Sequence, residues 1–187
     1  MTGWLGDERA QLAAQRILDA AASLFAEKGV AGVGMGEIAR AAGCSRATLY
    51  CYFPDRHQLH LAFVHREALR VGERVAAEFR GIDDPAERVV TAVLSALRHV
   101  RSAPTLAAWF RDGDAGRSAD LAQSSPVIEA LGTSVVSDAA AARWLVRVIV
   151  SLLTVPGRDA ADERAMVERF VVPAVYGAAD RSFSSNG

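Results

Sequence analysis

The amino-acid sequence predicts an all-α protein. Apolar residues make up 51% of its 187 residues, alanine is abundant, and few runs favour strands. Apolar side chains recur at helical spacing along most of the chain, and glycine or proline marks where the helices begin and end. A chain of this length forms one domain or two small ones and can bury a proper core.

The first helix is predicted from about Arg9 to Lys28, with Gly29 closing it and residues 1–8 forming a loose arm. Its inward side recurs at helical spacing and comprises Leu12, Ile17, Leu18, Ala21, Leu24 and Phe25. We expect this helix to buttress the segment that follows it.

Residues 35–53 organise the rest of the chain. One side of a short helix carries Met35, Ile38, Ala39 and Ala42. Gly43 suits the end of that helix because glycine enters a left-handed backbone conformation without steric cost. Ser45 then lies where the N-cap of a second short helix is expected. That helix turns Leu49, Phe53 and Tyr52 inward and leaves Arg46, Thr48 and Tyr50 outside.

A small residue at Ala39 and a glycine between the helices allow a close, steep crossing. This arrangement is typical of the helix-turn-helix, whose second helix enters the major groove of DNA. An ordinary corner between two helices is the alternative. The flanking segments favour the DNA-binding interpretation. Their sequences are Arg16-Ile-Leu-Asp-Ala-Ala-Ala-Ser-Leu-Phe-Ala-Glu-Lys-Gly29 and Leu49-Tyr-Cys-Tyr-Phe-Pro-Asp-Arg-His-Gln-Leu59.

Over roughly residues 9–60 the chain resembles the amino-terminal domain of the tetracycline-repressor (TetR) family of bacterial regulators. The resemblance implies a helix-turn-helix domain over 1–54 and a helical ligand-binding and dimerisation domain over 55–187. It implies a homodimer that binds a near-palindromic double-stranded operator, most often as a repressor, and is released by a small-molecule effector. No cofactor and no membrane partner are expected.

Arg46 is the best candidate for contact with a base edge, because a guanidinium pairs bidentately with guanine. Thr48 suits a phosphate or a thymine methyl group. The resemblance implies that Tyr50 and Tyr52 reach the DNA backbone and that Arg56 grips a phosphate, and Ser45 completes the predicted interface. The alternative for one of the two tyrosines is a place in the core. Gly34 departs from the family, which usually has a capping Ser or Thr there.

Bulk charge does not carry the DNA assignment. The net charge of the chain is −1, and residues 1–56 hold equal numbers of basic (Arg9, Arg16, Lys28, Arg40, Arg46, Arg56) and acidic residues (Asp7, Glu8, Asp19, Glu27, Glu37, Asp55). The assignment therefore rests on the motif, and a near-neutral domain should bind non-specific DNA weakly.

Further helices are predicted from Asp55 to about Arg80, from Pro85 to about Arg101, and from Pro104. The resemblance implies that the stretch after the helix beginning at Pro104 wraps an effector pocket. By that analogy the candidate wall residues are Phe63, Leu97, Trp109, Phe110, Leu121 and Ile128, with His99, Arg98 and Arg111 as polar partners. Aromatic and leucine residues at helical spacing also suit a plain core. The aromatic pair mildly favours an apolar or aromatic effector.

A last pair of helices is predicted over about 138–177, the first with Asp138 as its N-cap. The first of them is apolar around most of its surface, more than one small core needs. As in the family, the pair should form a four-helix dimer interface, with Trp144, Val148, Leu152 and Phe170 as candidates. The alternative is burial within its own domain. The tail, 180–187, has a disorder-like composition.

Other function classes find less support. The only cysteines, Cys44 and Cys51, lie seven apart inside the motif, which suits a reducing cytoplasm and not a disulfide framework. No apolar run reaches the length of a membrane span, and no export signal is evident. His57 and His60 leave a metal- or redox-responsive repressor as an alternative without a complete ligand set, so no metal site is assigned. Enzymatic phosphate-loop, nucleophile and metal motifs are not found.

Overall fold

The computed structural model describes residues 3–110 and 125–176, and all regular structure in these ranges is helical, as predicted. Its helices are α1 (Gly3–Lys28), α2 (Met35–Ala41), α3 (Arg46–Tyr52), α4 (Arg56–Phe79), α5 (Pro85–Ser102), α6 (Pro104–Ala107), α7 (Pro126–Val135), α8 (Ala139–Thr154) and α9 (Ala160–Met166). A 3₁₀ turn over Ala108–Phe110 follows α6, and a π-helical turn over Val167–Val171 continues α9 into residues 172–176.

The turn between α2 and α3 forms as its residues dictate. Gly43 has a φ of +70°, and the Ser45 hydroxyl accepts the Thr48 N–H at 3.0 Å. Gly34 precedes α2 without any side-chain cap, as expected from its missing hydroxyl. The loose arm predicted over residues 1–8 is wrong, because α1 already begins at Gly3. Residues 3–8 contain no proline to stop the helix, although Gly3 and Gly6 are poor helix formers.

A first core joins α1, α2, α3, the start of α4 and the turn after α6. It comprises Ile17, Leu18, Ala21, Ala22, Phe25, Val30, Val33, Ile38, Ala39, Leu49, Phe53, Leu59, Phe63, Leu106, Ala108 and Trp109. At its centre Phe63 and Trp109 stack with ring centroids 5.6 Å apart, and Phe25 meets both rings edge-on. Such aromatic pairs add to the stabilisation from burial alone. We call Phe25, His60, Phe63 and Trp109 the aromatic cluster.

The helix α4 leaves this core and packs along α5. Gly81, with a φ of +82°, allows the turn between them, and Asp84 caps α5 by accepting the N–H groups of Ala86 and Glu87. Pro85 occupies the first turn of α5, where its missing N–H costs nothing. The helix α4 therefore runs without a break from the helix-turn-helix into the second half of the molecule.

Close backbone approaches hold α7 between α4 and α8. A Cβ atom at Gly72 of α4 would overlap the Leu131 side chain of α7, and one at Gly132 would lie 3.1 Å from the Ala142 Cβ of α8. Both glycines lack the atom that would keep these helices apart, so α7 contacts its neighbours at short range.

A buried ion pair joins α5 to α9. Glu163 is 4% exposed and accepts two hydrogen bonds from Arg101, at 2.7 and 2.8 Å, and a third from the Gly157 N–H. Arg101 also donates to the Leu152 carbonyl at 2.8 Å. The hydrogen bonds from Arg101 hold the pKa of Glu163 below its usual value.

None of the helices in the described ranges is long and apolar enough to cross a membrane.

We predict that Glu163→Gln lowers the free energy of unfolding by about 2 kcal/mol at pH 7, because an amide replaces a carboxylate that holds charge-assisted hydrogen bonds. Since the pKa of Glu163 is depressed in the folded state, the native protein resists its protonation. Wild-type stability should therefore fall as the pH drops below about 5, towards the folded-state pKa. Urea unfolding at several pH values measures both effects.

The matched control is Glu129→Gln, which removes a carboxylate from the exposed pair with Arg143. An exposed pair contributes little, so this variant should unfold like the wild type. Equal stability of the Glu163→Gln variant and the wild type at pH 7, or an unchanged acid slope, would contradict the assigned role of the pair.

Candidate functional site

The outward face of α3 is the first candidate site. Arg46, Thr48 and Tyr50 are exposed there, whereas Leu49 on the opposite side is fully buried. The guanidinium of Arg46 lies over Gly36 of α2, where a Cβ atom would be 2.5 Å from its Nη2. Arg46 occupies the first turn of the helix, and the amino-terminal residues of a recognition helix are those that meet base edges.

Ser45 and Thr48 form a local hydrogen-bonded pair at the start of α3. Besides the capping bond, their hydroxyl oxygens lie 2.8 Å apart. The Ser45 hydroxyl therefore has a structural role in beginning the helix. Any contact that it makes with DNA would share an oxygen already used as the cap.

Tyr52 and Arg56 are less available than the sequence suggested. Tyr52 is half-buried and packs against the first core, whereas Tyr50 is 46% exposed. Arg56 donates through Nη2 to the Val30 carbonyl at 2.6 Å and to the Ala31 carbonyl at 3.3 Å. This side chain braces the loop after α1, so its expected grip on a phosphate would have to compete with two carbonyls.

A second candidate site is a cavity between α4, α5, α7, α8 and the segment around α6. The cavity has a volume of about 190 Å³ and is partly open to solvent. The described wall is mainly aliphatic and aromatic, and it comprises Val64, Ala68, Val71, Gly72, Val75, Phe79, Ala92, Val93, Ala96, Val100, Leu106, Trp109, Phe110, Ile128, Leu131, Gly132, Ser134, Val135, Leu145, Val146, Ile149, Val150 and Leu153.

Three residues predicted from the sequence lie on this wall: Trp109, Phe110 and Ile128. Phe63 and Leu97 are not among the lining residues; Phe63 is buried in the first core and Leu97 in the core that α5 shares with α8. Phe63 instead stacks behind Trp109. Leu121 lies outside the described residues.

The predicted polar partners of a ligand are placed elsewhere. His99 Nε2 lies 2.7 Å from Glu78 Oε1, and Arg98 pairs with the same carboxylate. The hydrogen bond from Arg98 lowers the pKa of Glu78 to about 2. His99 and Arg98 therefore bind Glu78 and are not among the lining residues of the cavity. Arg111 lies outside the described residues.

Most of the wall was missed by the sequence interpretation. Val71, Val75 and Phe79 of α4 were recognised as apolar helix positions but not as cavity residues. The periodicity identifies an inward-facing side chain but not whether it meets a core or a cavity. Leu131 and Leu145 were likewise assigned only to helices.

The outer sides of α8 and α9 form a third surface. Trp144 of α8 is 48% exposed, and Phe170, in the π-helical turn that follows α9, is 63% exposed. Both α8 and that turn bury other side chains in a core shared with α5, and Val148 and Leu152 of α8 are half-buried against it. Val155, the residue after α8, and Met166, the last residue of α9, are further exposed apolar side chains.

The histidines and cysteines do not converge. His60 is buried, with its ring 5.0 Å from the ring of Trp109, whereas His57 is exposed. Across residues 3–110 and 125–176 no group of three His, Cys, Asp or Glu side chains is arranged to hold a metal ion.

Comparisons with known proteins bear on these surfaces. Residues 17–63 match the model of the bacterial regulatory proteins, tetR family. An uncharacterized HTH-type transcriptional regulator of Mycobacterium tuberculosis (strain ATCC 25618 / H37Rv), Rv1255c, is 46% identical over 183 residues, which cover 93% of this chain and 91% of the relative.

Solved structures share the fold. RolR in complex with resorcinol has a TM-score of 0.68 at 21% identity and covers 97% of both chains. The TetR family repressor AlkX from Dietzia sp. has a TM-score of 0.64 at 20% identity, covering 88% of this chain and 95% of that one. Together the matched helix-turn-helix, the near full-length relative and the shared all-α fold establish that this chain belongs to the TetR family, as a transcriptional regulator with a DNA-binding helix-turn-helix.

Proposed function

We propose that this regulator is a homodimeric, ligand-responsive repressor that leaves a near-palindromic operator when a small-molecule effector enters its cavity. The observation that carries the proposal is the course of α4. Leu59 and Phe63, near its start, belong to the core beneath the helix-turn-helix, and its second half from Val64 to Phe79 lines the cavity. One rigid element thus contacts both sites.

The start of α4 is fixed to the DNA-binding part by more than apolar packing. Arg66 donates to the Asp19 carboxylate of α1 at 2.7 Å, and its guanidinium lies 5.7 Å from the centre of the Phe63 ring. A displacement of α4 would therefore carry α1 and the helices that pack on it. In a dimer this movement changes the distance between the two recognition helices.

In the proposed operator complex, Arg46 contacts a base edge. The other contacts come from the same helix and its N-cap, through Thr48, Tyr50, Tyr52 and Ser45. Two such helices, one per protomer, would enter successive major grooves about 34–36 Å apart. Effector binding favours a conformation in which this spacing no longer fits the half-sites, so operator affinity falls through a population shift.

The supported role is not enzymatic. On the described cavity wall the Ser134 hydroxyl is the only group resembling a nucleophile, and it donates to the Leu131 carbonyl at 2.7 Å. No acid or base lies on the wall beside it. An organic effector is also favoured over a metal ion, since the buried His60 ring packs among aromatic rings in the first core.

We predict that Arg46→Ala weakens binding to the specific operator by about 1–3 kcal/mol per half-site and relaxes base preference, because one bidentate base contact is lost. Fluorescence anisotropy with the operator found in the upstream intergenic DNA measures the loss. The variant should remain folded and dimeric.

Arg74→Ala is the matched control, since it removes an exposed arginine from the distant half of α4. It should bind operator like the wild type. If the Arg46→Ala variant retained wild-type affinity and sequence preference, Arg46 would not be the residue that identifies the base.

The contact between Gly72 and Leu131 offers a test of coupling. We predict that Gly72→Ala pushes α7 off α4 and lowers operator affinity severalfold without any ligand, since the new Cβ overlaps the Leu131 side chain. Adding Leu131→Ala makes room for that Cβ, so the double variant should regain affinity. Operator titrations of the two single variants and the double variant give the coupling between the positions.

Independent effects of Gly72→Ala and Leu131→Ala, with no recovery in the double variant, would show that this contact does not transmit the position of α7 to the operator.

For the dimer, we predict that Phe170→Glu yields monomers at concentrations where the wild type is dimeric. A two-fold interface contains each residue twice, so the change introduces two unpaired carboxylates and should cost about 2 kcal/mol or more. Sedimentation velocity over a concentration series measures the dissociation.

Leu12→Glu is the control, because Leu12, which the sequence placed on the inward side of α1, is instead 62% exposed and lies far along the chain from α8 and α9. It should leave the dimer intact. A dimeric Phe170→Glu variant, or a wild type that sediments as a monomer, would remove the assignment of α8 and α9 to an interface.

A further inference from the structure

The chemistry of the cavity wall limits what it can hold. Among the described lining residues none carries a charged side chain, and the only polar side chains are the Ser134 hydroxyl and the indole of Trp109. The Ser134 hydroxyl already donates to Leu131, and the Trp109 ring is stacked on Phe63. The wall is almost wholly helical, so its backbone N–H and C=O groups are largely engaged in helix hydrogen bonds.

Three charged groups that adjoin wall residues in the chain, Glu67, Glu78 and Arg101, are already in ion pairs. Glu78 accepts from Arg98 and pairs with His99 on the outer side of α4 and α5. Glu67, which is 8% exposed, accepts from Arg66 and Arg70.

Arg101, which follows the wall residue Val100, is held by the buried carboxylate of Glu163. A ligand ion that sought one of these groups as its counter-ion would have to break an existing pair. The described wall therefore provides no partner for a ligand charge.

Desolvation then decides between ligand classes. An ionised group that enters this cavity loses its hydration and meets no counter-charge on the described wall. An apolar group that enters gains the free energy of removing both surfaces from water. The balance favours neutral over charged ligands of the same size and shape.

We propose that the effector of this regulator is an uncharged, predominantly hydrocarbon molecule. The inference rests on the proposed function, in which this cavity is the effector site. It names a ligand class that the sequence suggested only weakly, and it rests on the wall as a whole instead of one aromatic pair. Selectivity arises from exclusion of charge, and the shape of the wall between Trp109 and Leu153 then discriminates among neutral compounds.

A matched ligand series tests the proposal on the full-length dimer. Decan-1-ol, decanoate and decylammonium share a chain length and differ in the charge of one end. Isothermal titration calorimetry at pH 7.5 should give a dissociation constant at least tenfold lower for the alcohol than for either ion. Naphthalene serves as a second neutral probe of different shape.

An ionised member that binds as tightly as the alcohol, or failure of both neutral probes to bind, would overturn the proposal.

Variants locate the binding. Ala68→Phe places a ring in the cavity from α4, and Ala77→Phe makes the same change at an exposed position of that helix. Ala68→Phe should raise the dissociation constant for decan-1-ol at least tenfold, and Ala77→Phe should leave it unchanged. Ala68→Leu is a smaller filling change that serves if the phenylalanine variant does not fold. Equal binding by the filled variants and the control would place the neutral ligand elsewhere and overturn the assignment.

Operator release separates this inference from the proposed function. If decan-1-ol binds in the cavity but leaves the operator complex intact, the ligand class stands and the effector-released repressor fails. If only decanoate or decylammonium enters the cavity and releases the operator, the repressor stands and the uncharged ligand class fails.

Discussion

The structure depends on the aromatic cluster more than on any other contact. Phe25 comes from α1, His60 and Phe63 from α4, and Trp109 from the turn after α6, and their ring centroids lie 5.0–5.6 Å apart. Trp109 belongs both to the core beneath the helix-turn-helix and to the cavity wall. Because cores are closely packed, a shift on one side of this indole displaces its partners on the other. The cluster therefore makes one mechanical unit of two sites that are distant in sequence.

Local chemistry made the helix-turn-helix and several later helix starts predictable. The left-handed turn at Gly43, the caps by Ser45 and Asp138, and the helix start at Pro85 each depend on residues within a few positions of one another. The family resemblance, which is now confirmed, rested on the same short-range signatures. A start near Arg9 was wrong because α1 begins at Gly3, and residues 3–8 contain no proline that would stop a helix.

Long-range partners escaped the sequence analysis. Arg56 meets the carbonyls of Val30 and Ala31, and Arg101 meets Glu163 across 62 residues of chain. Neither pairing produces a periodic pattern in the sequence from which it could be predicted. For the same reason, the sequence could not show that Trp109 lines the cavity and Phe63 does not, since both are apolar and inward-facing. Their difference lies in which neighbouring helix each side chain meets, and a single sequence does not encode that locally. The residues assigned to DNA contact and dimerisation stay predictions.

The shortness of α3 has a genetic consequence. Seven residues are too few for a helix to persist in water alone, and Leu49 is the only buried side chain that α3 contributes within its own bounds. Its rigidity therefore depends on packing against the core beneath it. A screen for variants that lose DNA binding would accordingly recover changes in Phe25, Ile38 or Phe63 alongside those on the exposed face. Such a map of loss-of-function variants would identify the core that supports α3 as well as its exposed face.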